Sequence, residues 1–249
     1  MKYPIELPDV IAKKRPYTID KNDIIIEKIP YTNFYAHNPT MIACAALRYD
    51  HEPSIKWLIN HMEEDGAIRH HYQSEFSPAP GWVGGLSQAL AAYALMTYGY
   101  EEDGQKAIDA MLKYSYQDGF IFERPNQLIL NGWIYGIISL YKAGRFNHLQ
   151  EALEKLEKTL HLFDRGYWSS YDATWLLATP FYHHIHCEQL KYLGDEFDND
   201  VFTNYSRKWY VDARPDKAKR IRRGELLKRH GTLGAIKQYQ RRKKWLKQR

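Results

Sequence analysis

Three connections in the chain begin with nearly the same motif: Asp65-Gly66-Ala67-Ile68, Asp118-Gly119-Phe120-Ile121 and Asp164-Arg165-Gly166-Tyr167, with glycines 53 and 47 residues apart. Two connections also end alike, in Gly81-Trp82 and Asn131-Gly132-Trp133, 51 residues apart. Between these points apolar residues recur at spacings of three and four. That periodicity predicts helices over 39–49, 54–63, 84–98, 105–115, 131–143, 149–162, 173–181, 185–194 and 198–210. A period near fifty residues, each unit holding two helices and one long loop, specifies stacked helical hairpins that open into a solenoid or close into a ring. The long loops all follow the second helix of a pair, so they gather on one face, where a rigid scaffold carries its sites.

Those loops hold most of the reactive side chains: Arg69, His70, His71 and Tyr72 in the first, Glu123 and Arg124 in the second, Tyr167, Trp168, Tyr171 and Asp172 in the third. The densest run of proton-transfer groups joins Gly166-Tyr167-Trp168-Ser169-Ser170-Tyr171-Asp172 to Tyr182-His183-His184-Ile185-His186-Cys187-Glu188. A phenol near imidazoles and a carboxylate gives, takes or relays a proton, which packing alone does not require. Twenty tyrosines against nine phenylalanines point the same way, because a core needing only aromatic bulk has no use for the hydroxyls. Asp172 is expected to cap a helix beginning near Ala173. His186 suits a satisfied core position as well as a site. The His183, His184 and His186 pattern lacks a carboxylate or cysteine at ligand spacing, so no metal is expected.

With 249 residues, 44% of them hydrophobic, the chain can bury a genuine core. It holds no eighteen-residue apolar run, and its first 23 residues carry charges and three prolines, so neither a membrane span nor a signal peptide is expected. Cys44 and Cys187 form no spacing motif and read as buried free thiols in a reducing, cytoplasmic compartment. Charge divides the chain sharply. Residues 214–249 carry fifteen Lys and Arg against Asp216 and Glu225, a net +13 that leaves −8 for residues 1–213 of the chain's total +5. Apolar residues from Ile221 to Leu246 punctuate this tail at near-helical spacings, so it reads as a basic amphipathic segment suited to an anionic partner.

The residues also carry a resemblance. Gly81-Trp82 with Gln88, Glu123 with Pro125, Leu130-Asn131-Gly132-Trp133 with Tyr135 and Leu140-Tyr141, Asp164 with Gly166, and Tyr171-Asp172 occur in an order that resembles the C-terminal helical domain of the D-glucuronyl C5-epimerase family. The match continues through Tyr182-His183, His186 and Gln189-Leu190 and closes with Phe202, Lys208 and Trp209, covering roughly residues 35–210. The resemblance implies an all-α fold, an (α/α) toroid or incomplete barrel of about four helical hairpins. Residues 1–34 would form an N-terminal extension, 35–213 the epimerase-like toroid and 214–249 the basic tail. It implies catalytic roles for Glu123, Tyr171 and Tyr182, which match the family's Glu-Tyr-Pro loop, Tyr-Asp and Tyr-His motifs. Arg124 departs from the tyrosine that follows the loop glutamate in the family.

The implied reaction inverts carbon five of a uronate, D-glucuronate to L-iduronate, within a heparan-type polysaccharide or lipid-linked glycan. Removing a proton next to a carboxylate and returning one to the opposite face needs two acid/base groups and a neutraliser of charge, with no cofactor. Here Glu123 is one base and Tyr182 the opposing acid, its phenol brought toward neutrality by cations or imidazoles, with His183 or His186 orienting it. Tyr171 and Arg124 are expected on the uronate carboxylate. The wider substrate-binding set is Arg69, Trp82, Gln88, Asn131 and Trp168. Expected partners are the anionic glycan and, through the tail, a membrane surface on which the protein sits peripherally; a homodimer is compatible, and nucleic acid is not expected. A uronate polysaccharide lyase shares the first proton abstraction. A glycoside hydrolase would use Glu123 with Asp172, and a non-catalytic glycan-binding module is the alternative outside catalysis.

Overall fold

The computed structural model describes residues 3–10, 17–29, 34–72 and 78–226. Among the described residues the helices α1 (Pro39–Tyr49), α2 (Glu52–Asn60), α3 (Gly85–Thr97), α4 (Glu101–Ser115), α5 (Leu130–Lys142), α6 (Phe146–Thr159), α7 (Pro180–Glu196) and α8 (Asp200–Val211) follow one another. A 3-10 turn, Leu160–Phe163, extends α6, and residues 215–226 are also helical. The protein is mainly α.

Composition decides which helix goes inside. The sequences of α3 (GLSQALAAYALMT) and α5 (LNGWIYGIISLYK) are apolar on nearly all sides, and almost every residue of both is buried. In α4 and α6 only narrow apolar stripes are buried and the rest is charged, the pattern of helices with one face in water. Accordingly α1, α3, α5 and α7 pack consecutively as an inner row, and α2, α4, α6 and α8 each pack on the inner helix of their own hairpin. These contacts establish two layers of helices paired as four successive hairpins.

The repeat motif has a backbone cause. Gly66, Gly119 and Gly166 all adopt left-handed φ values, 79°, 82° and 78°, a region that glycine enters without a Cβ penalty. Each turns the chain at the head of a long loop. One predicted helix does not form: residues 173–179 are loop, and α7 begins at Pro180. Asp172 Oδ1 accepts from the Thr174 and Leu176 amides (3.0 and 3.2 Å) and from the Thr174 hydroxyl (2.7 Å). That local side-chain bonding competes with a helical ladder, and Pro180 disfavours helix in the residue before it. Asp172 therefore organises a loop and caps no helix.

Small sheets, not foreseen from the periodicity, complete the fold. β1 (Tyr17–Ile19), β2 (Ile25–Lys28) and β3 (Tyr35–Ala36) form an antiparallel sheet in the order β1-β2-β3, with Glu27 opposite both Tyr17 and Ala36. β4 (Tyr116–Gln117) and β5 (Phe120–Ile121) make a hairpin at Gly119. The N-terminal segment crosses the inner row: Tyr3 meets Tyr93 of α3 edge-on at 4.5 Å and lies 5.8 Å from Tyr135 of α5. Cys44 and Cys187 are free and buried. Among the described residues no helix is long and apolar enough to cross a membrane; the basic tail beyond residue 226 lies outside them.

Candidate active site

The three long loops are joined edge to edge. The Gly85 amide donates to Phe122 O (3.1 Å), linking the start of α3 to the Glu123 loop. The Glu123 loop in turn bridges to the Tyr171 loop: Leu130 N–H donates to Tyr171 O and Ala173 N–H to Leu128 O, both 3.1 Å, in an antiparallel bridge of Ile129 with Asp172. Glu123 and Tyr171, distant in sequence, are thereby anchored on adjoining strands of loop.

Glu123 lies against the first turn of α5. A Cβ at Gly132 would stand 2.8 Å from Glu123 Oε2 and 3.2 Å from Glu123 Cβ, so only glycine there lets the carboxylate approach the helix so closely. Glu123 Oε2 is shielded from water and has no hydrogen-bond partner among the described residues. Burial, only partly offset by the Arg124 charge, pushes the carboxyl up to about 7. An acid that would ordinarily be fully ionised is thus balanced between its two forms at neutral pH.

Two phenols complete the cluster. Tyr171 and Tyr182 have ring centroids 4.9 Å apart, and the Tyr171 hydroxyl is hydrogen-bonded to that of Tyr182, an interaction that favours the Tyr182 phenolate. Tyr182 occupies the first turn of α7, with its amide capped by Thr179 Oγ1 at 3.3 Å. Burial first, then the charge of Glu123, raises both phenols, Tyr182 to about 12. The expected shift of Tyr182 toward neutrality is therefore reversed: desolvation and a carboxylate dominate, and Arg124 only moderates them.

The imidazoles serve a different end. The Ser169 amide donates to His183 Nδ1 (3.1 Å), so this nitrogen carries no proton, and His183 Nε2 donates to Trp209 O (3.3 Å). Ser169 Oγ lies 2.9 Å from His183 Nδ1 and 2.8 Å from His186 Nδ1. Without facing lone pairs, the one consistent assignment runs from His186 Nδ1–H to Ser169 Oγ and from its hydroxyl to His183 Nδ1. Burial holds both rings neutral, His183 down to about 4. His183 also stacks on Trp168 at 3.7 Å, and Trp168 Nε1 donates to Ala178 O (2.9 Å). These groups brace the wall behind Tyr171 and Tyr182. Orientation of Tyr182, expected from a histidine, comes instead from Tyr171.

The remaining candidates divide. Arg124 acts electrostatically on Glu27, His70, Tyr72, Glu123, Tyr171 and Tyr182, and its guanidinium stands 6.0 Å over the Trp82 ring, itself stacked on His70 at 3.8 Å. Gln88 is a buried staple, accepting from Ile68 N–H (2.8 Å) and donating to Gly66 O and Ala107 O (3.0 and 3.2 Å). Asn131, beside Gly132, is buried and its carbonyl accepts from Gln189 Nε2 (3.0 Å). Arg69 is bound elsewhere, to Glu63 (2.8 Å), Gly81 O (3.1 Å) and the Tyr114 hydroxyl (3.4 Å).

Sequence reasoning missed Glu27 as a member, and placed Tyr72 among the reactive side chains of the first loop without giving it a role. Glu27 on β2 accepts from Asn38 Nδ2 (2.7 Å), is raised by burial, and its charge acts on Tyr72 and Tyr182. Nothing in a short strand of an N-terminal extension signals that placement. Among the described residues no group of three or more His, Cys, Asp or Glu is set to hold a metal ion.

Fold and site together define a helical-hairpin protein whose loops assemble a carboxyl–phenol–guanidinium cluster suited to proton transfer. Residues 62–211, more than half of the chain, match the family described as D-glucuronyl C5-epimerase C-terminus, and the chain belongs to that family. It is also similar to an uncharacterized protein of Methanocaldococcus jannaschii, MJ1128, at 28% identity over 88 residues, which span 32% of this chain and 29% of that protein.

Proposed function

We propose that the chain is an isomerase of the uronyl C5-epimerase type, inverting carbon five of a uronic-acid residue in a polysaccharide or lipid-linked glycan by two-base proton transfer. The observation that carries this reading is the Glu123 carboxyl titrating near 7 within the electrostatic reach of two hydrogen-bonded phenols. A base poised at the working pH transfers protons most effectively. Family membership supports the same class.

In the proposed sequence Glu123 takes the C5 proton, and the C–H electron pair moves onto the sugar carboxylate, whose added charge Arg124 neutralises. Tyr182 then donates its hydroxyl proton to the opposite face of C5 and becomes a phenolate stabilised by the Tyr171 hydroxyl. Protonating Glu123 removes a negative charge that raises Tyr182, so the phenol gains acidity at the stage when its proton is required. Solvent carries the proton from Glu123 to the Tyr182 phenolate and resets the site. Tyr72 and Trp82 offer aromatic faces for the sugar, and the Glu27 charge reaches Tyr72. The fifteen cations of residues 214–249 suit an anionic glycan, or a cytoplasmic membrane surface where such polymers are assembled.

Incubation with heparosan in deuterated water, followed by NMR at carbon five, tests the reading. Label incorporation by the wild type, reduced at least about a hundredfold in Tyr182→Phe and Glu123→Gln, is the expected result. An unsaturated, ultraviolet-absorbing product would assign a lyase instead, and full activity in either variant would remove that residue from the mechanism.

A further inference from the structure

The loop bearing Tyr171 is held from outside the four hairpins by helical residues 215–226. Leu177, midway along the loop, has both backbone polar groups engaged by this helix: its N–H donates to Glu225 Oε2 (3.0 Å), and its carbonyl accepts from Arg222 Nη1. The second Glu225 oxygen pairs with Arg165 Nη2 at 3.0 Å, and both side chains are only 20% exposed. Arg165 in turn donates to Trp175 O (2.7 Å) and lies 4.9 Å over the Trp175 ring.

These contacts reach the phenols in two steps. Leu177 bridges to Ser170 across the loop, and the Tyr171 amide donates to Leu176 O (2.5 Å). On the apolar side Ala218, 1% exposed, shares a cluster with Trp168, Leu177 and Ala178, against which Tyr171, Tyr182 and Ile221 pack. The loop has no regular structure of its own to impose this shape, and it holds Trp175 at a left-handed φ of 68°. A residue other than glycine keeps such a conformation only when its surroundings over-determine it. Arg165, Arg222 and Glu225 supply that constraint at the strained turn, and Ala218 and Ile221 supply it behind the phenols.

We propose that residues 214–226 are a clamp that sets the Tyr171–Tyr182 pair against Glu123, with Arg222 and Glu225 as positioning residues; the catalytic consequence rests on the epimerase reading, and the clamp itself does not. This helix is therefore part of the site's architecture, although its composition reads as the start of a basic amphipathic tail suited to an anionic partner. Its exposed cations, Lys217, Lys219, Arg220 and Arg223, leave the clamping face free of duties toward a ligand.

Full-length Glu225→Ala, Glu225→Gln and Arg222→Ala variants test the clamp by three measurements. Amide hydrogen exchange over 165–178 is expected to quicken about tenfold or more in the two alanine variants, with the α3 and α5 amides unchanged, because each loses a charge-assisted bond to the loop backbone. Glu225→Gln keeps an acceptor for the Leu177 amide and is expected to recover part of that protection. Spectrophotometric titration is expected to show, in Glu225→Ala, a phenol that ionises nearer its ordinary value of about 10; adding Tyr182→Phe removes that titration. On heparosan in deuterated water kcat is expected to fall about tenfold with KM changed less than about twofold, since charge neutralisation by Arg124 is untouched. Wild-type exchange and wild-type phenol titration in both alanine variants would overturn the clamp. Should those two readouts move while the wild type turns over no uronate polymer, the clamp stands and the epimerase reading falls; unchanged kcat in an active enzyme would overturn the positioning role.

Discussion

Replacing Glu123 by glutamine removes an acid whose burial raises it from 4.5 to about 7. A carboxyl raised on folding contributes its stability below the unfolded value and loses it as pH climbs through the folded value. The folded chain must hold an unwelcome charge at pH 8 and a welcome neutral acid at pH 5. Linkage between those two values sets the charge penalty near about 3 kcal/mol at pH 8 and about 1 kcal/mol at pH 5. Glutamine is neutral throughout, so the stability of Glu123→Gln relative to wild type should rise by about 2–3 kcal/mol from pH 5 to pH 8. Constant costs of the substitution cancel in that difference. For a chain of this length it corresponds to a relative shift in melting temperature of about 5–10 °C. Urea or thermal unfolding of both proteins at pH 5, 6, 7 and 8 measures it. A gap independent of pH would refute a buried, raised Glu123 and with it the base assigned to the reaction, whatever the substrate.

Gly132→Ala gains helix propensity worth up to about 1 kcal/mol, but its Cβ would press on the buried Glu123 carboxylate at an overpacking cost of about 1–3 kcal/mol; denaturation should show a small net loss of stability, and deuterium incorporation at carbon five should fall at least about tenfold. Ser169→Ala strips Nδ1 of both His183 and His186 of the bridging hydroxyl and should cost about 2 kcal/mol in urea unfolding. Burial drives the thiols of Cys44 and Cys187 up to about 12, so neither should react with a thiol reagent at pH 8 until denaturant is added, a time course that an absorbance assay follows directly.

The hairpin repeat was legible because it depends on local rules. Gly66, Gly119 and Gly166 mark turns that need a left-handed residue, and the apolar periodicity of α1, α3 and α5 survives any change of neighbour. The helix expected over 173–181 failed where a tertiary and a local effect coincide: Asp172 binds its own loop, and the C-terminal helix holds Leu177 extended. Periodicity carries no signal for either. The candidate residues came from motif order, yet the character of each was decided elsewhere. His183 and His186, read as partners of a phenol, are neutral braces on Ser169 because the interior desolvates them. Glu27 entered the cluster from a strand whose four residues say nothing about it.

Sequence alone determined the hairpin period and which loops carry acid, phenol and guanidinium, since turn chemistry and apolar spacing act over a few residues. Tertiary structure decided what those groups are: an acid near neutrality, phenols pushed above their ordinary range and histidines without charge. Desolvation and Coulomb interactions depend on what surrounds a group in space, and the chain brings Glu123, Tyr171, Tyr182 and Glu27 within reach of one another only when the loops close on the helical hairpins.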